Sequence, residues 1–181
     1  MRATLVSGDD DLEQILALQR ANLASALSPD DVLSQGFVTV EHTLASLQRM
    51  HALAPSVIVR EGDELAGYAL VMPLETAELF PVLHTMFANF ARLTWRGRPL
   101  SAHRYYVMGQ VCVARPWRGR GVFDALYAGH REAYASRYDF TITEIAVRNT
   151  RSMRAHQRIG FEILDTYRDT TDTWAVVAWG F

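Results

Sequence analysis

Residues 111–123 carry the sequence VCVARPWRGRGVF, which combines an apolar strand, a basic glycine-containing turn and the start of a helix. Glycines such as Gly119 and Gly121 let the backbone approach a ligand closely. A helix that begins at about Val122 leaves its first N–H groups unpaired and carries a partial positive charge at that end. Together with the arginines of the turn, these properties favour the binding of a phosphate or pyrophosphate group.

Two other nucleotide-binding loops fit this stretch less well. A P-loop requires Gly-Lys-Ser/Thr, and the 18 basic residues of the chain are all arginines. The dinucleotide fingerprint requires a third glycine where Asp124 stands, and it belongs to the first strand of its unit. Considered alone, the loop also fits an ordinary tight turn with surface arginines, and a different nucleotide-binding α/β domain stays open as well.

Around this loop, the hydrophobic pattern alternates between strands and helices. Runs rich in β-branched and aromatic residues predict strands over 3–7, 57–60, 65–72, 105–113, 140–147, 161–167 and 173–181. Helical spacing predicts helices over 10–24, 40–52, 122–136 and from Asn149 or Thr150 to Gly160, and a start signal at Ser28-Pro29-Asp30-Asp31 predicts another that stops at Gly36. The order predicts an α/β (α+β) fold, a mixed central sheet covered by helices with a closing C-terminal hairpin.

A connection of about thirty residues, 74–104, joins the third and fourth predicted strands and is called the insertion below. Pro81 can open a helix there, and a wide apolar face follows at helical spacing, made of Leu79, Phe80, Leu83, Met86, Phe87, Phe90 and Leu93. This face predicts extra core, a wall of a substrate pocket or a seam between two copies of the chain, and all three interpretations stay open.

Composition predicts one domain over residues 1–181. The formal net charge of -2 gives no support for nucleic-acid binding. Residues 115–158 hold nine arginines against four acidic residues, which suits an anionic cofactor, whereas the rest of the chain is acidic and suits a cationic substrate.

With one cysteine, no signal-peptide pattern and no membrane-spanning run, we expect a cytoplasmic protein. The six histidines show no metal-ligand spacing, so we expect no metal.

Two segments resemble motifs of the GNAT acyltransferase superfamily. Arg118-Gly119-Arg120-Gly121-Val122 is similar to the family's Arg/Gln-x-x-Gly-x-Gly/Ala signature, and it follows an apolar strand as in that family. The run from Asn149 to Phe161, NTRSMRAHQRIGF, resembles the family's Asn-x-x-Ala-x-x-x-Tyr-x-x-x-Gly-Phe helix. The motifs cover about residues 105–161, and the first hundred residues match the family only in outline.

The resemblance implies that the cofactor is acetyl-CoA. Its pantetheine would pair with the backbone of Val111 and Val113, and the Asn149 side chain would reach the same arm. Its pyrophosphate would lie on the amides of Arg118, Gly119, Arg120, Gly121, Val122 and Phe123. In this chain Phe123 replaces the usual small residue, and we expect its ring to pack inward and leave binding intact.

Glu144 is the candidate general base. It lies in an apolar strand on the face of Phe140 and Ile142, where a carboxylate is costly unless it is paired or lies at a cleft. A salt bridge to Arg148 or Arg151 is the structural alternative. The resemblance favours catalysis, because family members that acetylate protein N-termini place a catalytic Glu five residues before the helix Asn.

His156 is the candidate proton donor. It stands where those enzymes have a tyrosine general acid, so a buried packing role is its alternative. Other possible donors are Tyr105, Tyr106 and Tyr127. Gln110 on the preceding strand can orient a water or the thioester, or merely satisfy backbone groups. Cys112 is a possible covalent nucleophile, but no histidine or acid accompanies it locally, so direct transfer is favoured.

The resemblance implies an N-acetyltransferase that moves an acetyl group from acetyl-CoA to a primary amine of a small molecule or peptide. The alternative is a non-catalytic module on the same fold that binds or senses acyl-CoA. We expect no nucleic-acid or membrane partner, and the apolar face of the insertion allows a homodimer.

Overall fold

The computed structural model describes residues 1–28, 30–31 and 36–181. Its strands are β1 (Ala3–Leu5), β2 (Val57–Glu61), β3 (Glu64–Met72), β4 (Thr94–Trp95), β5 (Arg98–Pro99), β6 (Tyr105–Val113), β7 (Phe140–Ala146), β8 (Glu162–Arg168) and β9 (Thr173–Gly180). Its α-helices are α1 (Asp9–Arg20), α2 (Leu44–Leu53), α3 (His84–Phe90), α4 (Val122–Tyr134) and α5 (Thr150–Ile159). The helix predicted between Ser28 and Gly36 lies largely outside the described residues.

Seven strands form one mixed sheet in the order β1-β2-β3-β6-β7-β9-β8. Neighbouring strands are antiparallel, except that β6 and β7 run parallel. The predicted mixed sheet with a closing hairpin, β8–β9, is therefore confirmed, and the predicted strands differ from the observed ones mainly at their ends. Strands β4 and β5 form a separate two-stranded hairpin inside the insertion.

A bulge in β6 changes which side chains face each side of the sheet. The register with β3 shifts between the pair Ala69–Val111 and the pair Val71–Met108. Two residues of β6, Gly109 and Gln110, therefore lie opposite one residue of β3, which is the pattern of a β-bulge. As a result Met108 and Val111 belong to the same packed face, although strict alternation would separate them.

The two faces of the sheet carry separate apolar layers. On one face, α1, α2 and the insertion cover alternate residues of β3 such as Tyr68 and Leu70. On the other face, α4 packs over β1, β2 and β3, and Tyr127 of α4 lies among aromatic residues of the last strands. The alternation of apolar residues along each strand explains this division, since successive side chains point to opposite faces.

Helix α2 begins later than its hydrophobic pattern predicts. Thr43 and Ser46 form a capping box, in which the Thr43 hydroxyl accepts a hydrogen bond from the Ser46 amide and the Ser46 hydroxyl accepts one from the Thr43 amide. The helix therefore starts at Leu44 rather than Val40. The preceding segment, residues 36–42, is called the strap below, because it runs across the sheet next to β6 and α5.

The insertion is less helical than its periodicity predicts. Segments of 3-10 helix at Leu74–Leu79 and Pro81–Leu83 precede α3, which ends at Phe90. The chain then turns back through Arg96 and Gly97, both of which have positive φ. Five side chains of the insertion are buried in the first apolar layer, namely Phe80, Met86, Phe90, Trp95 and Leu100. Burial of these side chains supports the interpretation of the insertion as extra core.

Candidate functional site

The two parallel strands at the centre of the sheet pair over only part of their length. Tyr105–Val107 of β6 pairs with Phe140–Ile142 of β7, and the regular pairing ends there. One residue further, the Thr143 hydroxyl still donates a hydrogen bond to the carbonyl of Met108 at 2.8 Å. Beyond this point β6 borders three neighbouring spaces that share lining residues, and β7 borders two of them. Ligands of α/β sheets commonly bind where neighbouring strands part in this way.

The first space is a cleft of about 470 Å³ between the basic loop, the start of α5 and the strap. Eight of the nine predicted cofactor-binding residues line it, namely Val111, Val113, Arg118, Gly119, Gly121, Val122, Phe123 and Asn149. The ninth, Arg120, lies outside the lining, with its guanidinium 5.3 Å from the centre of the Trp117 ring. A cleft of this size suits a small-molecule cofactor.

The glycines of the loop take a conformation that other residues rarely adopt. Gly119 has φ 74 and Gly121 has φ 83, and Gly121 is the N-cap of α4. A Cβ atom at either position would meet no atom within 4 Å, so both residues border open space. The backbone of the loop at the start of α4 therefore borders the cleft without side chains at its two glycines, which leaves room for the close approach of a phosphate.

Arginine side chains make this cleft electropositive. Arg118 turns back towards the sheet, where its Nε donates to the carbonyl of Val113 at 3.0 Å and its Nη2 donates to Asn22 at 2.7 Å. Arg151 and Arg158 line the same cleft, and Arg158 pairs with Asp124 at 2.6 Å. The three arginines outnumber the one aspartate, which favours an anionic ligand.

Asn149 joins α5 to the strap across the cleft. Its Oδ1 accepts a hydrogen bond from the Ser152 amide at 3.2 Å, which caps α5 as predicted. Its Nδ2 donates to the carbonyl of Phe37 in the strap at 3.3 Å. Gly36 lies so close that a Cβ atom there would be 3.1 Å from Asn149 Oδ1. The strap and the amide of Asn149 thus form one wall of the cleft.

The second space is a narrow passage of about 80 Å³ at the parting of β6 and β7. It shares Val111, Asn149 and Ser152 with the first cleft, and Glu144 with the third space. Gln110 lines it and links β6 to the strap, since its Nε2 donates to the carbonyl of Val40 at 2.7 Å. Gln110 therefore satisfies a backbone group, which is one of the two roles predicted for it.

The third space is a cavity of about 520 Å³ on the opposite side of the passage. The insertion supplies most of its apolar wall, with Leu79, Phe80, Pro81, Val82, Leu83 and Met86. The polar wall contains Glu41, Glu144, Arg148, Tyr167, Asp169 and Asp172. Because Arg148 pairs with Asp172 at 2.5 Å, the remaining carboxyl groups make this cavity acidic.

Glu144 lies where the passage opens into the acidic cavity. The hydroxyl of Tyr167 donates a hydrogen bond to its Oε1 at 2.5 Å. Burial raises the pKa of Glu144 to about 7, the charge of Asp169 adds to the rise, and the Tyr167 hydrogen bond opposes it. The salt bridge considered as an alternative is not formed with Arg148, which pairs with Asp172. A carboxyl group with a pKa near neutrality can exchange protons at physiological pH.

His156 lines the passage, although it is only 2% exposed. Its Nδ1 is 2.8 Å from the carbonyl of Ser152, and its Nε2 is 2.8 Å from the hydroxyl of Tyr127. Burial lowers the pKa of His156 to about 4, so the ring is neutral at physiological pH. The predicted inward packing of Phe123 is observed, with its ring 5.2 Å from the His156 ring and 4.9 Å from the Tyr127 ring.

The other candidate donors and the candidate nucleophile are buried away from the open spaces or hold their protons tightly. Burial raises the pKa values of Tyr106 and Tyr127 well above the usual value. Tyr105 stacks on Phe140 with ring centres 5.0 Å apart. Burial raises the pKa of the Cys112 thiol to about 12, which keeps it protonated and unreactive.

The sequence did not point to two residues of this site. Tyr167 reaches Glu144 from β8, 23 residues away, and only the packing of the hairpin reveals the contact. Ser152 lines both the cleft and the passage, and it occupies the position of the alanine in the family's helix motif, which was a signal available from the sequence.

Within the described residues no cluster of side chains could hold a metal ion. None of the helices in the same part of the chain is long and apolar enough to cross a membrane.

Solved structures share this architecture over almost the whole chain. An acetyltransferase of the GNAT family from Streptococcus agalactiae superposes with a TM-score of 0.66 at 14% identity and covers 99% of this chain and 95% of its own. The ribosomal-protein-alanine N-acetyltransferase of Brucella melitensis superposes with a TM-score of 0.64 at 16% identity, with all of both chains covered. The Salmonella typhimurium protein yncA, described as an acetyltransferase and solved with its cofactor acetyl-CoA, gives 0.62 at 16% identity over 99% and 93% of the two chains.

These similarities define a mixed α/β fold of the acyltransferase type. More specifically, the chain has the fold of GNAT acetyltransferases. No protein-family profile matches the sequence, and no curated protein matches it either.

Proposed function

We propose that this protein is an acetyl-CoA-dependent N-acetyltransferase of the GNAT superfamily that transfers acetyl to a primary amine by direct attack. The observation that carries the proposal is the meeting of a basic cleft and an acidic cavity in one passage, with Glu144 at the junction. An anionic cofactor and a cationic acceptor can therefore approach the same point from opposite sides.

The basic cleft suits coenzyme A. The backbone amides from Arg118 to Phe123 would hold the pyrophosphate, and Arg120 takes part through its amide. Val111, Val113 and Asn149 would hold the pantetheine arm, which leads into the passage. When bound, acetyl-CoA supplies an activated acetyl group as a thioester. The amide of Asn149 bonds to Phe37, so we expect that bond to open or to share its donor when the arm enters.

Glu144 acts as the general base. An amine must be neutral to attack the thioester, and a carboxylate beside it can accept the ammonium proton directly or through one water. The pKa of about 7 raised by burial suits this exchange, since the carboxylate form is populated at neutral pH and still binds a proton well. The role of His156 as donor to the departing sulfur stays a prediction.

The acidic cavity sets the class of acceptor. Its apolar wall from the insertion and its carboxyl groups together favour a primary amine that carries an apolar body and is cationic in solution. Val82 is 75% exposed at this wall, so it can contact a ligand without loss of core packing. A cytoplasmic location and a homodimer stay predictions.

The competing function is a non-catalytic acyl-CoA-binding module, and it needs the basic cleft alone. The acidic cavity with a base of shifted pKa favours the enzyme. The test combines calorimetric titration with acetyl-CoA and a thiol-release assay with a broad amine panel, which runs from apolar monoamines to polyamines and peptides. We expect binding and turnover, with the apolar monoamines acetylated fastest. Binding without release of thiol from any amine would identify the sensing module, and absence of binding would reject both functions.

A further inference from the structure

Two departures from the GNAT helix motif lie on α5 of this chain, and they touch each other. Ser152 stands in place of the motif's alanine, and His156 stands in place of its tyrosine, one helical turn later. The Ser152 hydroxyl oxygen is 3.3 Å from His156 Nδ1. Residues four apart on a helix lie on the same face, so the serine and the histidine form a pair.

The hydrogen bonds of His156 fix which nitrogen carries the proton. Nδ1 lies 2.8 Å from the carbonyl oxygen of Ser152, which can only accept a hydrogen bond, so Nδ1 carries the proton. Nε2 is then an acceptor, and the hydroxyl of Tyr127 donates to it. Because burial lowers the pKa of the ring to about 4, the second nitrogen stays unprotonated at neutral pH.

The proton of the Ser152 hydroxyl is not used in the contact with His156. The Ser152 hydroxyl oxygen faces the N–H of His156, so it accepts in that contact, and its own proton points away from the ring. Ser152 lines both the basic cleft and the passage, where the thioester of the proposed cofactor would lie. The histidine itself is 2% exposed and directs no proton into these spaces.

We propose that the Ser152 hydroxyl donates a hydrogen bond to the cofactor sulfur in the reaction and that His156 is the positioning residue that orients it. The inference rests on the proposed function. The amine nitrogen forms a bond to the acetyl carbon, and the carbon–sulfur bond breaks with its electron pair kept by sulfur. The proton of the attacking amine passes to Glu144. Ser152 keeps its proton and stabilises the thiolate, which takes a proton from solvent after release.

The direct measurement is the pKa of the coenzyme A thiol in its complex with the protein. The ultraviolet absorbance of the thiolate reports this pKa without any acetyl transfer, and a titration of the free protein provides the baseline. We expect the bound thiol to ionise at lower pH in the wild type than in Ser152→Ala, since a hydrogen bond to a charged group stabilises it by roughly tenfold or more. Equal thiol pKa values in the two complexes would overturn the proposal.

A double-variant cycle at saturating acetyl-CoA tests the pair. Ser152→Ala lowers kcat by roughly ten- to hundredfold, as loss of one donor to a developing charge does. Ser152→Thr keeps a hydroxyl and retains most of the rate. His156→Tyr alone lowers kcat, and it lowers kcat less in the Ser152→Ala background, because the hydroxyl that His156 orients is already absent.

The outcomes separate the inference from the function on which it rests. Wild-type kcat in folded Ser152→Ala would reject the serine as donor while leaving acetyl transfer intact. Strictly additive losses in the double variant would reject the coupling to His156. Absence of coenzyme A binding by the wild type would overturn the proposed function itself, and the inference with it.

Discussion

The hydroxyl of Tyr167 lies 2.5 Å from Oε1 of Glu144, although the two residues are on strands β8 and β7, which are separated by β9. A hydroxyl donor favours the charged form of a carboxyl group, so the bond holds the pKa of Glu144 below the value that burial alone would give. Tyr167 therefore tunes the proposed general base.

Tyr167→Phe removes this bond, and we expect the pKa of Glu144 to rise above its present value of about 7. Because the base acts as a carboxylate, the rate should increase as the pH rises through the pKa, and the variant should need a higher pH for the same rate. Initial rates across the neutral and alkaline range measure the shift. An unchanged pH profile would show that the bond does not control Glu144.

Glu144→Gln removes the base and should lower kcat by roughly a hundredfold or more. The increase of the rate around pH 7 should vanish with it, since no group of that pKa remains in the passage. Calorimetric titration with acetyl-CoA serves as the control, because the glutamate lies outside the basic cleft. A wild-type rate at every pH would assign Glu144 to a structural role.

Gly121→Val should weaken acetyl-CoA binding, because the side chain would project into the open space beside the α4 amides. The change also forces a β-branched residue to φ 83, which costs roughly 1–2 kcal/mol in stability. Gly62→Val is the matched control, since Gly62 has φ 58 in the β2–β3 turn and its Cβ would also meet no atom within 4 Å. Equal coenzyme A affinity in the two folded variants would place the phosphates elsewhere.

Two substitutions separate the structural and functional parts of the insertion. Phe90 is 1% exposed, so Phe90→Ala should lower the free energy of unfolding by about 3–5 kcal/mol. Val82 is largely exposed on the wall of the acidic cavity, so Val82→Asp should change stability by less than about 0.5 kcal/mol. It should nevertheless reduce kcat/KM for apolar amines. Urea denaturation and acceptor kinetics measure the two effects, and a loss of stability in Val82→Asp equal to that in Phe90→Ala would contradict the division.

The protein should lose stability in mild acid. Burial lowers the pKa values of His42 and His156 to about 4 and that of His130 to about 3. In the unfolded chain each ring returns to about 6.5, so the unfolded state binds protons first as the pH falls. Above about pH 6.5 each neutral ring makes its full contribution to the free energy of unfolding. This contribution decreases as the pH falls to about 4, by an amount on the order of 3 kcal/mol for each ring.

Glu144 opposes this trend, because its raised pKa adds stability as the pH falls from about 7 to 4.5. The gain from one carboxyl group is smaller than the loss from three rings, so we expect the free energy of unfolding to decrease as the pH falls. Urea denaturation at a series of pH values measures it, and a free energy of unfolding that stays constant between neutral pH and about pH 5 would contradict the expectation.

The sequence by itself determined the elements and the loop. Alternation of apolar residues defined the strands, and glycines at 119, 121 and 160 marked positions that the structure shows at positive φ. Such signals are local, since they depend on the conformational range of single residues and on periodic burial. The same locality limits the detail: a helix opening at Pro81 was predicted, and the structure has a 3-10 turn at Pro81–Leu83 that leads into α3, which ends at Phe90.

Only the tertiary structure decided which side chains meet. The Tyr167 hydroxyl reaches Glu144 across the C-terminal hairpin, and the Tyr127 hydroxyl of α4 donates to the unprotonated Nε2 of His156 on α5. The apolar strand around Glu144 indicated burial, but the pKa also depends on Tyr167 and Asp169, which only the packing of the hairpin brings close. These features depend on strand register and helix packing between distant segments, and burial in that packing is what shifts the protonation of each group.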